Sequence, residues 1–195
     1  MKTILAIDTE TTGLPNDPHG EIHDVANWPR IVQLGWVLAR EDGRVLRSRC
    51  SLIQPDGWRA TLEAHNVHNF NSVDCREHGL PIATELKELH RAAREADVVV
   101  AHSMAFDYPV ILCESIRLGS YTRLANCHRE CTKLIGCELL EVPGPNEGER
   151  GVKLGDLHEF LFGRRFDGAH GAMADAMACL RCYLEMKART VICPQ

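Results

Sequence analysis

A chain of 195 residues, 45% hydrophobic and 25% charged, has the composition of an ordinary globular domain and excludes a disordered tail, a collagen-like fibre and a coiled coil. One domain spanning 1–195 is expected. Its net charge of −5 excludes a polybasic nucleic-acid binder, although acids neutralised by bound cations would leave room for a local basic surface facing phosphates. No apolar run approaches the ~18 residues of a membrane helix. Ile4 to Ile7, with acids directly after, is too short for a signal peptide, so a cytoplasmic protein without membrane contact is expected.

Thr3 to Asp8 reads as a strand with the unbroken apolar core Ile4-Leu5-Ala6-Ile7. Pro15 to Pro29, rich in Pro, Gly, Asn and Asp, reads as a loop. Ile31 to Ala39 is a second strand, closed by the turn signal Glu41-Asp42-Gly43, and Arg44 to Ile53 alternates as a half-exposed strand should. Pro81 to Ala96 is an amphipathic helix with Leu86, Leu89, Ala93 and Ala96 on one face. Asp97 to His102 is a buried strand, followed by a helix from Ala105 to Leu118 in which Pro109 is expected in the first turn. Gly144 to Gly151 reads as a loop, Leu154 to Phe162 as a helix stopped by Gly163, and Ala172 to Arg189 as a long helix. A strand meander followed by alternating strands and helices indicates an α/β fold with a mixed sheet and helices packed on it.

Nine cysteines cannot all pair within one chain, and free thiols are expected. Two groups invite a zinc reading: Cys127, Cys131 and Cys137 with His128, and Cys179 with Cys182. The second pair lies within the apolar helical run, where cysteine serves as a small buried hydrophobe.

Four acids and one histidine carry the chemistry. Asp8 and Glu10 stand two apart at the end of the first strand and so share a face. Such a pair is costly unless a divalent cation compensates it; singly, each is also explicable as a turn or surface residue. Asp107 follows the buried strand, where helix capping would equally explain it. His170 precedes the last helix and Asp175 lies in its first turns, with Ala169, Gly171, Ala172 and Ala174 permitting close approach to the sheet.

Together, Asp8-Thr-Glu10-Thr-Thr-Gly13-Leu14, Ala101-His-Ser-Met-Ala-Phe106-Asp107 and His170-x-Ala-x-x-Asp175 resemble the three exonuclease motifs of the DEDDh (DnaQ-like) family, which contains the proofreading epsilon subunits. Arg30-Ile-Val-Gln-Leu-Gly and Lys153 to Gly163 fit the family's intervening segments. The resemblance implies a ribonuclease-H-like fold: a five-stranded mixed sheet, a three-strand meander then parallel strands, with helices on both faces. It implies a 3′–5′ exonuclease using two Mg²⁺ or Mn²⁺ ions. In that reading Asp8 bridges both ions, Glu10 and Asp175 complete the site of the attacking water, Asp107 serves the second ion and His170 is the general base. Two cations stabilise the attacking and leaving oxygens together, hard oxygen ligands suit Mg²⁺ or Mn²⁺, and histidine accepts a proton near neutral pH.

Thr9, Thr11, Thr12 and Gly13 are expected to offer amides and hydroxyls to the terminal nucleotide, Leu14 to pack on its base, and Phe106 either to join them or to fill the core. The family's Ala-His-Asn is here Ala101-His102-Ser103; Ser103 is expected to contact the substrate, with a hydroxyl replacing only part of an amide's hydrogen bonding and so positioning it differently. His102 is read as structural, as are His65 and His68. The implied substrate is the 3′ end of single-stranded DNA, with 5′-mononucleotides released. RNA ends, a non-catalytic replisome or nucleic-acid-binding module, and a zinc-dependent regulator are the alternatives. Gln195 closely follows the final helix, so the protein is expected to act alone or to dock on a polymerase or replisome through its folded surface.

Overall fold

The computed structural model describes residues 1–145 and 150–192. Five strands form one mixed sheet: β1 (Thr3–Thr11), β2 (Ile31–Arg40), β3 (Val45–Leu52), β4 (Val98–Ala101) and β5 (Arg129–Cys131), in the order β3-β2-β1-β4-β5. β1 to β3 make the antiparallel meander, while β4 runs parallel to β1 and β5 parallel to β4. The helices are α1 (Leu62–His68), α2 (Ser72–His78), α3 (Ile82–Ala93), α4 (Met104–Arg117), α5 (Thr132–Leu140), α6 (Leu154–Phe162) and α7 (Ala172–Ile192). The five-stranded sheet is the expected one.

Alternation along β1 divides the core. Leu5 and Ile7 point to one side, where Leu86 and Leu89 of α3 and Val110 and Ile111 of α4 cover them. Ile4 and Ala6 point to the other, against Ala176, Cys179, Leu180 and Tyr183 of α7. α7 lies unusually close to β2. A Cβ on Gly35 would stand 2.5 Å from the Ala172 carbonyl carbon, so the strand backbone itself is the floor on which the helix rests. Ala172, fully buried, makes that approach; Ala169 is exposed.

Carboxylates buried with arginines tie the rest together. Arg49 on β3 forms a bidentate pair with Glu85 of α3, both contacts 2.7 Å. Glu114 of α4 accepts from Arg30 Nε at 2.8 Å and from the Ile31 amide at 3.1 Å, pinning the end of the 15–29 loop. Each charge is matched by a planar guanidinium, the arrangement that makes burial tolerable.

Several boundaries differ from expectation. β1 continues to Thr11 because Thr9, Glu10 and Thr11 still pair with β2, with an irregularity between Glu10 and Thr11. α4 begins at Met104, where the Phe106 and Asp107 amides both donate to the Ser103 carbonyl. Pro109 is therefore in its second turn, not its first, and the carbonyl it cannot serve belongs to exposed Ala105. Asp107 lies within the first turn and not at the cap position, which is Ser103. α3 stops at Ala93 rather than Ala96, and α7 runs on to Ile192. Part of the expected Gly144–Gly151 loop, residues 146–149, lies outside the described residues. No helix among them is long and apolar enough to cross a membrane.

Candidate metal and nucleic-acid site

The site forms where β1 outruns β4. The parallel pairing matches Ile4–Ala6 with Val98–Val100, and β4 ends at Ala101, so Asp8 and Glu10 project beyond their neighbour. Both continue the Ile4–Ala6 face, toward α7. Asp175, in the first turn of α7, meets them there: ligand atoms of Asp8, Glu10 and Asp175 all lie within 4.8 Å of one another. Three carboxylates converge from positions 8, 10 and 175.

Asp107 reaches the same region from the opposite face. Thr9 points toward α4, and Asp107 Oδ1 accepts from its amide at 3.1 Å and from its hydroxyl at 2.8 Å. Asp107 is only 3% exposed. Its charge nevertheless acts on both Asp8 and Glu10, which places it at the edge of the cluster rather than among its three closest members.

The electrostatics are those of an uncompensated acidic cage. Burial and then the charges of Asp107, Asp175 and Glu10 hold the Asp8 carboxyl well above the ordinary range. Burial followed by Asp175 and Asp107 pushes Glu10 up to about 7. Burial raises Asp107, with the two Thr9 bonds and the Lys133 ammonium pulling the other way. Asp175 is raised by burial and opposed by His170. Clustered carboxylates that favour their neutral form are what a dication would reverse.

The start of α7 is held from the sheet. Gln33 Oε1 accepts from the Ala172 amide at 2.8 Å, satisfying one of the open N–H groups of the helix. The His170 amide donates to Asp175 Oδ2 at 3.0 Å. His170 itself is exposed with φ of 67°, a left-handed conformation uncommon outside glycine. Its ring therefore lies on a tight turn directly before the helix that carries Asp175.

The remaining first-motif residues are more internally engaged than their sequence suggests. The Thr11 hydroxyl donates to the Gly13 carbonyl, Thr12 Oγ1 accepts from the Arg30 amide, and the Thr12 carbonyl accepts from the Thr61 amide. Leu14 is 84% exposed. Phe106 packs edge-on against Trp28 at 6.3 Å, against the core on the α4 side. Ser103 accepts from Lys133 Nζ at 3.5 Å.

His102 is structural, as expected. It is buried, with Nδ1 3.0 Å from the Thr132 hydroxyl and Nε2 3.0 Å from the Val152 carbonyl, so Nε2 must donate. Burial pushes its pKa down to about 4. His65 Nδ1 lies 2.9 Å from the Phe70 carbonyl, and His68 Nδ1 accepts from the Phe70 amide; both fold their own loop.

Among the described residues the cysteines are free thiols, and the acidic trio is the only group of three or more His, Cys, Asp or Glu side chains brought to metal-binding distance. Cys179 and Cys182 are buried, and burial pushes the Cys182 thiol up to about 12, the opposite of a zinc thiolate. Gln33, Gly35 and Lys133 are the positioning and neighbouring residues not anticipated from sequence. Gln33 and Gly35 left a trace, within the segment Arg30-Ile-Val-Gln-Leu-Gly, whereas Lys133 left none.

No protein-family model matches the chain, and no curated protein matches it in sequence. Solved structures do. E. coli exonuclease I in complex with a dT13 oligonucleotide superposes with a TM-score of 0.73 at 19% identity, covering 98% of this chain and 42% of its own. The zinc-ion-bound E. coli exonuclease I–ssDNA complex gives the same TM-score, identity and coverage. A 3′-exonuclease with 3′-end-specific recognition of the histone mRNA stem-loop gives 0.70 at 16% identity, covering 95% of this chain and 63% of its own. The chain thus spans less than half the length of exonuclease I. Its meander, parallel strands and flanking helices are those of the ribonuclease-H-like fold that these exonucleases share.

Proposed function

We propose that this protein is a metal-dependent 3′–5′ exonuclease that releases 5′-mononucleotides from the 3′ ends of nucleic acid. The observation that carries the reading is the convergence of Asp8, Glu10 and Asp175 within 4.8 Å at the end of β1, with Asp107 anchored alongside by Thr9, in a fold shared with exonucleases. All four donors are hard carboxylate oxygens without a thiolate, a set that suits Mg²⁺ or Mn²⁺. Asp8, Glu10 and Asp175 would hold the metal, with Asp107 completing the site. When bound, divalent cations lower the pKa of water and neutralise charge on the phosphodiester.

The chain's own residues supply the rest. His170 on its exposed turn accepts the proton of the attacking water, and Asp175 holds that turn through the His170 amide. Leu14, outermost of the first-motif residues, offers an apolar surface to the terminal base. Thr11, Thr12 and Gly13 shape the backbone behind it, and Thr9 orients Asp107. Recognition by stacking and backbone contacts is independent of base sequence. The superposition on exonuclease I bound to dT13 favours single-stranded DNA, and that on the histone mRNA 3′-exonuclease supports RNA as the second substrate to examine.

Digestion of 5′-labelled DNA and RNA oligonucleotides with Mg²⁺, Mn²⁺ or EDTA tests this. Stepwise 3′ shortening with either metal, and none in EDTA, is expected. Asp8→Ala should abolish it, and His170→Ala should lower kcat strongly while sparing metal binding. Undiminished digestion by Asp8→Ala would overturn the assignment.

A further inference from the structure

Lys133 stands beside the acidic site with no carboxylate of its own. It is the second residue of α5, and its stem runs along Gly151, whose added Cβ would come 3.2 Å from Lys133 Cγ. The ammonium reaches across to Ser103 Oγ at 3.5 Å, immediately before the helix that carries Asp107. It makes no ion pair with any described residue, whereas the other cations near buried acids, Arg30, Arg49 and Arg117, are all committed. The Ser103 contact puts the ammonium on the side of the site that carries Asp107, the acid on which its charge acts. A partly buried cation steered to an acidic site but unpaired there is suited to an anion that arrives with the substrate.

We propose that Lys133, positioned by the Ser103 hydroxyl, binds a backbone phosphate of the nucleic-acid strand as its 3′ end enters the acidic cluster. This rests on the exonuclease reading and adds to it a specific contact. It also gives Ser103 a role: its hydroxyl accepts one of the ammonium's three N–H donors and holds the charge in place, leaving donors to offer a phosphate. The contact is sequence-independent and electrostatic, and its signature is therefore salt dependence.

The test is anisotropy titration of the full-length protein in Mg²⁺ with a fluorescent oligothymidylate protected at its 3′ end by phosphorothioate linkages. Wild type, Lys133→Met, Lys133→Gln and Lys133→Arg are compared over a range of KCl. Removing the charge should weaken binding about tenfold at low salt and lower the slope of log Kd against log salt by about 0.7, the share of one phosphate on a single strand. Lys133→Arg should keep the slope. Lys187→Met, whose cation is paired with Glu130 at the other end of β1, should keep it also, which separates a contact from a general loss of charge. An unchanged slope in Lys133→Met or Lys133→Gln would overturn the proposal, as would a wild-type protein that does not bind the strand. Cleavage of an unprotected strand is scored separately, so that a protein that binds with the predicted slope but cuts nothing refutes the exonuclease reading and not the contact.

Discussion

The Thr9 hydroxyl and Asp107 Oδ1 lie 2.8 Å apart across the end of the sheet, 98 residues apart in sequence. Thr9 sits between two acids that face α7, and yet its own side chain faces α4. One strand thus supplies ligands to one face and an anchor for a fourth acid on the other.

Thr9→Val keeps the shape of the side chain and removes that hydroxyl. A hydrogen bond to a charged group is worth about 1.5–3 kcal/mol, so kcat should fall about tenfold or more, with Thr9→Ser close to wild type. Steady-state digestion of a labelled oligonucleotide measures both; equal kcat for Val and wild type would show that Asp107 needs no such anchor.

The raised carboxyls set the pH dependence of the metal-free fold. A group whose pKa is higher folded than unfolded contributes its stability below the unfolded value, near 4, and loses it as pH rises through the folded value, about 7 for Glu10. In EDTA, Tm should therefore drop between pH 5 and pH 8, by about 4–8 °C if the net effect is ~2 kcal/mol. Mg²⁺ should restore it, and most at pH 8. Asp8→Asn should raise Tm in EDTA at pH 8 while abolishing digestion. Scanning calorimetry decides: a Tm in EDTA that is flat or rising over this range would contradict the repulsion described.

Close approach of α7 to β2 predicts intolerance at Gly35. The added methyl of Gly35→Ala meets backbone atoms at 2.5 Å and must push the helix away, costing about 3 kcal/mol or more. Gln33→Leu strands the Ala172 amide and should cost about 1–2 kcal/mol. Both displace Asp175 from Asp8 and Glu10, so Mg²⁺ affinity by isothermal titration should weaken in each, whereas Gln33→Glu, which still accepts from the amide, should retain it.

Cys179→Ala and Cys182→Ala remove small buried groups and should cost about 1–2 kcal/mol each by urea denaturation, with digestion unchanged. Elemental analysis of purified protein should find no stoichiometric zinc held by thiolates.

Much of this site is legible in the sequence because its chemistry is local. Asp8 and Glu10 declare a shared face by spacing alone, and Gly163, with φ of 73°, stops α6 where a helix needs a left-handed residue. The meander from Thr3 to Leu52 follows from alternation and one turn. Residues 62–78 and 129–140 are not legible: α1 and α2 are seven residues each, and β5 is three residues without a periodic pattern, so tertiary pairing rather than propensity decides them. Thr9 reads as a substrate contact in the sequence because its partner, Asp107, is adjacent only once β4 has placed α4. Lys133 gives no signal, since a lysine after a threonine in a short helix is ordinary until Ser103 is brought beside it.

Closure of the acidic trio is expected late in folding. β1 to β3 pair within the first 52 residues, whereas Asp175 arrives on the last helix, so the meander can condense with only the Asp8–Glu10 repulsion, before the charge of Asp175 is added. Interactions absent from the transition state govern unfolding rather than folding. Divalent cations should then slow escape from the native state and leave the refolding arm of a chevron nearly untouched, making the ion a kinetic latch as much as a reagent. Stopped-flow unfolding in guanidinium chloride, with Mg²⁺ against EDTA, reads that asymmetry directly.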